Sequence, residues 1–199
     1  MKSPEYQFDT MGADLACAFF ERLLHHSKGE WAGKPFRLLD WQRDKVVRPL
    51  FGWKRADGTR RYRRAYIEVP RKNGKTVLAA GLALYMLYAD GEPGAEVYSA
   101  AVDREQASLV FDEAKAMVQM CPQFAKISEV YRKAITVPGT RSSYRVLSAD
   151  VKGSHGVNAS AVMFDELHAQ PTRELWDVLN TSTGARRQPL VVAITTAGY

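Results

Sequence analysis

The sequence predicts an α/β fold built on a largely parallel sheet, and three observations carry that expectation. Short apolar runs alternate with stretches of helical spacing along most of the chain, the pattern of strands joined by crossover helices. A glycine–lysine loop, VPRKNGKT, separates one such run from a strongly apolar helical stretch. Three chemically distinctive stretches fall where strands should end: the loop after Val69, the acids after Phe164 and the threonines after Ile194. Ligands of open parallel sheets gather at that edge.

The elements follow in order. Met11, Leu15, Ala16, Phe19, Phe20, Leu23 and Leu24 give helical spacing from Met11 to His25, with Asp9 or Thr10 as the cap. A second helix is expected from Asp40 toward Phe51, and Asp57-Gly58 signals a turn. Ala65–Val69 reads as a short strand stopped by Pro70, and Thr76–Ala89 as a buried apolar helix. A strand at Glu96–Ala101 precedes a helix at Asp103–Met120, where Asp103 and Gln106 have capping-box spacing. Short strands are expected at Ala134–Val137 and Tyr144–Leu147 around a Gly139 turn, and a buried strand at Ser160–Phe164. A short helix at Thr172–Asn180 and a strand at Leu190–Thr195 complete the chain.

Composition sets the broad class. The 199 residues suit one domain of ordinary size, and 46% hydrophobic with 25% charged residues is a core-forming, soluble balance. No run approaches the about 18 apolar residues of a membrane span, and MKSPEYQFDT lacks the apolar region of a secretion signal. Cys17 and Cys121 stand apart in helical patterns and suit buried thiols in a reducing compartment. The net charge of +6 is uneven: nine basic residues lie between Lys54 and Lys75 against Asp57 and Glu68. The knot of Arg60, Arg61, Arg63 and Arg64 offers phosphate-backbone affinity without sequence reading, or else a solvated surface strand.

The loop matches the phosphate-binding pattern G-x-x-x-x-G-K-[ST], except that its first glycine is replaced by Val69. The N–H groups of Asn73, Gly74, Lys75 and Thr76 open a helix and can face an anion. Lys75 is positioned to reach the β- and γ-phosphates of ATP, and the Thr76 hydroxyl to ligate Mg²⁺. AVMFDELHA delivers Asp165 and Glu166 to the sheet edge, where adjacent carboxylates are costly without a partner. Asp165 would hold the Mg²⁺ shell and Glu166 would orient or deprotonate the attacking water; the alternative is that both cap the next helix. Thr195 and Thr196 can sense a γ-phosphate and relay its loss, or simply end a β-branched strand. Taken together, the three stretches indicate ATP binding with hydrolysis.

These residues resemble the ATPase domain of the large terminase subunit, the motor that packages DNA into tailed-bacteriophage heads. VPRKNGKT resembles that family's variant Walker A loop, in which the first glycine is commonly absent. VMFDE resembles its Walker B strand with the catalytic glutamate, and TTAG its coupling motif. LLDWQRD resembles its adenine-recognition segment, with Gln42 at the position that reads the base, and SADVKGSHGVNASAVMFDELH its run-in to Walker B. The resemblance implies a P-loop NTPase of the RecA/ASCE-like three-layer kind. It implies a division into a helical segment, 1–53, carrying the adenine motif, and an ATPase core, 54–199.

The same resemblance implies that Arg71 acts in cis on the γ-phosphate, with Lys72 also facing the phosphates. An arginine from a ring neighbour would act in trans, with Arg104 and Arg141 as candidates. The implied partners are double-stranded DNA, a homo-oligomeric ring, the portal protein and the small terminase subunit, with no membrane. The setting would be the cytoplasm of the infected bacterial host, docked on the procapsid portal. Family members continue into a two-metal nuclease domain resembling RNase H; this chain reaches Tyr199 just after the coupling motif, so the expectation is an ATPase segment incomplete at its C-terminus and without nuclease activity. A DEAD-like helicase and a non-catalytic, nucleotide-dependent assembly module are the competing readings. The histidines add little: His25 and His26 read as surface groups rather than metal ligands, His155 as part of a glycine-rich loop that is either plain or faces DNA, and His168 as a polar residue after the acids.

Overall fold

Period-2 alternation in two buried strands sets the architecture. In the computed structural model, which describes residues 5–101, 104–147, 157–166 and 173–196, β1 (Tyr6–Phe8) precedes α1 (Thr10–Leu23). A π-helical turn at Gln42–Val47 then runs into α2 (Arg48–Gly52), followed by β2 (Trp53–Arg55), β3 (Arg64–Val69), α3 (Lys75–Tyr88) and β4 (Glu96–Ala100). Next come α4 (Arg104–Met120), α5 (Pro122–Ile127), β5 (Glu129–Val130), β6 (Ala134–Val137) and β7 (Ser142–Val146). The last elements are β8 (Ala161–Asp165), α6 (Glu174–Ser182) and β9 (Leu190–Thr196).

Seven strands form one sheet in the order β3-β9-β8-β4-β7-β6-β5. The pairs from β3 through β7 are parallel, and β6 and β5 extend the sheet antiparallel. Leu190, Val192 and Ile194 of β9 join Ala161 and Met163 of β8 in a core shared with α1 to α5. The intervening Val191, Ala193, Val162 and Phe164 face the other way, against Leu175 and Leu179 of α6. The sheet is thus a middle layer between two helical layers, a three-layer α/β arrangement.

The expected strands and helices fall within a few residues of their predicted positions. What sequence reading omitted is short or irregular: β1 and β2, which pair antiparallel, α5, and the strand β5. The helix expected from Asp40 toward Phe51 is interrupted by the π turn. Pro49, in the first turn of α2, has no N–H to donate to the preceding turn. Asp9 does cap α1, accepting from the Gly12 N–H at 2.8 Å. Asp103, the cap proposed for α4, lies outside the described residues, as do His155, His168 and most of the run-in before Val157.

The sequence division at 53/54 cuts across packing. Trp53 begins β2, and Phe20, Val47, Leu50 and Phe51 share one core with Leu78, Leu82 and Leu84 of α3. Gly81 lets α1 approach α3, since a Cβ there would stand 2.4 Å from the Phe20 ring. Cys17 and Cys121 are both buried and free.

One member of the basic knot is corrected by the structure. Arg60 is fully buried, with both guanidinium arms on Asp90 at 2.7 and 3.0 Å and a further bond to the Gln188 carbonyl at 2.7 Å. A cation spent inside the fold this way is not a surface contact for DNA. Removing the anion would strand it, so Asp90→Ala should lower unfolding free energy by about 3–5 kcal/mol. The exposed Arg173–Asp177 pair provides the control: Asp177→Ala should leave the urea midpoint nearly unmoved.

Candidate active site

The insertion of β9 between β3 and β8 makes the three strand ends neighbours. Val69 pairs with Thr196 and Asp165 with Ile194, so loop, threonines and acids leave the sheet side by side. Val69 is the buried last residue of β3 rather than part of the turn. The left-handed conformations that the turn requires fall instead on Lys72 (φ 64°) and Gly74 (φ 72°). This is why the loop closes without a glycine at position 69.

Gly74 is also the N-cap of α3 and supplies no side-chain cap, so the first-turn N–H groups have no intrahelical acceptor. Asn73 is a brace: its Nδ2 donates to the carbonyls of Pro70 and Arg71 at 3.1 and 3.2 Å. Arg71 and Lys72 are exposed on the loop, and Thr76 is the second residue of α3.

Lys75 is the meeting point. Its Nζ donates to Thr196 Oγ1 at 2.7 Å, forms an ion pair with Glu166 and lies 3.8 Å from Asp165 Oδ1. Glu166 takes a left-handed backbone, φ 50°, and its N–H donates to the Ile194 carbonyl at 2.9 Å. Its carboxylate accepts from Thr196 Oγ1 at 2.7 Å, the Thr196 N–H at 3.0 Å and Thr195 Oγ1 at 3.2 Å. Burial lowers the Lys75 pKa; Asp165 opposes that shift and nearby Arg71 reinforces it. Burial likewise raises the Asp165 pKa, with Lys75 pulling the other way. Attraction between the two therefore does not offset their desolvation.

Asp165 Oδ1 is buried without a hydrogen-bond partner. An orphaned carboxylate oxygen beside the phosphate loop, with the Thr76 hydroxyl opening the next helix, is a donor set that suits Mg²⁺.

Beside the loop lies a cleft of about 720 Å³ whose walls include Trp31, Phe36, Leu39, Gln42, Asn73 and Val77. Gln42 is buried at 1% exposure, and its Oε1 accepts the Leu39 N–H at 3.0 Å, a helix-start bond of the capping-box kind. Its Nε2 faces the loop, 3.5 Å from where a Cβ on Gly74 would sit. His26 is packed rather than a free surface group, edge-on to Phe36 at 5.1 Å and near Trp31 at 6.3 Å, and burial lowers its pKa. This aromatic wall escaped sequence reading; its only signal was the density of Trp, Pro and Phe just before Gln42.

Residues 40–199 match the family model for the terminase large subunit, ATPase domain. The chain belongs to that family. It is 32% identical over 185 residues to the terminase large subunit of Enterobacteria phage HK97, covering 90% of this chain and 35% of that protein. The crystal structure of the HK97 large terminase superposes with a TM-score of 0.76 at 28% identity, over 92% of this chain and 37% of that one. The chain thus spans about a third of the relative's length. The ATPase domain of the Thermus phage P74-26 large terminase shares the fold, with a TM-score of 0.53, 21% identity and coverage of 68% of this chain and 60% of that one. So does the large terminase of another thermophilic bacteriophage, in complex with ATP-gamma-S, with a TM-score of 0.53, 14% identity and coverage of 78% and 35%.

Several other residues singled out in this terminase sequence lie at the opposite sheet end from the loop. Arg61, Arg63 and Arg64 sit at the start of β3, the opposite sheet end, about 15–20 Å away for a strand of this length. Arg61 stacks over Tyr6, Trp53 and Tyr62, whereas Arg63 and Arg64 are exposed. Arg141 is an exposed residue just before β7, at that same far end. Arg104 begins α4, and its side chain lies outside the described residues. No described helix is long and apolar enough to cross a membrane.

Because a raised carboxyl pKa in the folded state makes ionisation favour unfolding, the Asp165 penalty grows as pH rises above the ordinary carboxylate range. Asp165→Asn should therefore raise the thermal midpoint at neutral pH, by about 2–4 °C for each ~1 kcal/mol relieved. The gain should vanish near pH ~3, where both states carry the proton.

Proposed function

We propose that this terminase domain binds and hydrolyses Mg-ATP, and that in the assembled motor the cycle drives double-stranded DNA into a procapsid. The observation that carries the reading is the convergence of Lys75, Asp165, Glu166 and Thr196 at three adjacent strand ends. In this reading the first-turn N–H groups of α3 and Lys75 take the β- and γ-phosphates, and Arg71 reaches the γ-phosphate in cis. Thr76 and Asp165 hold Mg²⁺, which supplies charge neutralisation across the phosphates. Glu166 accepts a proton from the water that attacks the γ-phosphorus, and Thr195 and Thr196 carry the change outward along β9.

The cleft beside the loop takes the base, with Gln42 Nε2 donating to it and the Trp31–Phe36 segment covering it. Arg104 or Arg141 of a ring neighbour completes the γ-phosphate site in trans. Arg61, Arg63 and Arg64 contact the DNA backbone. The portal protein and the small terminase subunit are the assembly partners, in the cytoplasm of the infected bacterium.

Two measurements test this reading. In the assembled motor with DNA, Glu166→Gln should cut ATP turnover by about 100-fold or more while nucleotide still binds; undiminished turnover would remove Glu166 from its role. ATP should alter Trp31 fluorescence, and Trp31→Ala should weaken ATP binding by about tenfold, the value of one base–aromatic contact. Equal affinity in that variant would place the base elsewhere.

A further inference from the structure

Glu166 is held by more groups than a general base awaiting water requires. Lys75 forms an ion pair with it, Thr196 grips it through both hydroxyl and N–H, and Thr195 adds a second hydroxyl. Its left-handed backbone, unusual for a glutamate, is held by the bond to the Ile194 carbonyl. The groups that hold this carboxylate are an ammonium, two hydroxyls and an N–H, all donors suited to a phosphate oxygen. Thr196 Oγ1 is engaged in both directions, accepting from Lys75 and donating to Glu166.

We infer that in the nucleotide-free domain Glu166 is an internal stand-in for a nucleotide phosphate, occupying Lys75 and Thr196 until a bound phosphate displaces it. The inference rests on the nucleotide-site reading above and deepens it. Binding then becomes an exchange of anions on one ammonium: Lys75 passes from carboxylate to phosphate, and Glu166 gives up that ion pair. Before the exchange the glutamate is neutralised and unable to serve as a base. After it, the carboxylate remains beside the threonines and is no longer bound to the ammonium. The exchange also removes one of the two bonds on Thr196 Oγ1, so the end of β9 is altered by phosphate arrival itself.

The test is ADP binding to the full chain with magnesium present, followed by isothermal titration for wild type, Glu166→Gln, Thr196→Val and Thr196→Ser. ADP brings a phosphate for Lys75 but no terminal phosphate for Thr196, so it isolates the displacement. Glu166→Gln should tighten ADP binding by about tenfold, the release of one charge-assisted contact. Thr196→Val keeps both charges but loosens their shared bridge, and should tighten binding by about threefold; Thr196→Ser should restore the wild-type value. Tighter binding in Glu166→Gln with Thr196→Val unchanged would reduce the effect to general charge and overturn the inference, as would no gain in either. Absence of ADP binding in the wild type itself would sink the nucleotide-site reading and this inference with it.

Discussion

A single ammonium group sets the terms for the site. Lys75 begins α3, yet its partners come from the ends of β8 and β9, distant in sequence. They can meet only because β9, the last strand of the chain, lies between β3 and β8. Were it added at the sheet edge, the loop and the acids would adjoin with no threonine between them. Register matters as much as order. A slip of one residue in β9 would turn Leu190, Val192 and Ile194 out of their core and aim the threonines at the wrong face. The packing of both sheet faces therefore fixes the chemistry at the sheet edge.

Two cations, one buried and one half-buried, show what distinguishes structure from function here. Arg60 spends its donors on Asp90 and the Gln188 carbonyl and contributes a rigid link between the turn before β3 and the segment before β9. Lys75 is half-buried, but both it and Asp165 shift toward their neutral forms, and one Asp165 oxygen has no hydrogen-bond partner. The first arrangement pairs cation with anion inside the protein, leaving only the Arg60 Nε without a hydrogen-bond partner. The second leaves a buried carboxylate oxygen unpartnered beside an ammonium, the kind of perturbed pair that marks a functional site.

Much of this was legible in the sequence for a definite reason. Strands buried on both faces read as apolar runs, and the loop and acids announce themselves by residue type, so β3, β8, β9 and the residues at their ends were found within a residue or two. Sheet order was not legible, because it depends on which crossovers the helices permit. Nor was the fate of Arg60, since a run of arginines looks the same whether one side chain turns inward or not. The loop's missing glycine has a structural reason: the pattern assigns position 69 to the turn, whereas pairing with Thr196 keeps Val69 in the strand, where sequence reading also placed it. The base-side wall of His26, Trp31 and Phe36 is built by an irregular segment whose contacts have no periodicity to read.

The geometry also limits how nucleotide chemistry could reach DNA. The exposed arginines and the phosphate loop occupy opposite ends of β3, too far apart for direct electrostatic communication across screened solvent. The connection available is the β3–β9 ribbon. Arg63 donates to the Arg187 carbonyl at 2.8 Å, and Val191 N–H donates to the Arg63 carbonyl at 2.9 Å, stitching the basic turn to the start of β9. The same strand ends in Thr195 and Thr196, which hold Glu166. A strand buried on both faces moves as a unit because its neighbours interdigitate with it. The threonines and the basic turn are therefore joined through one strand, and the Asp165–Ile194 pairing lies at its threonine end.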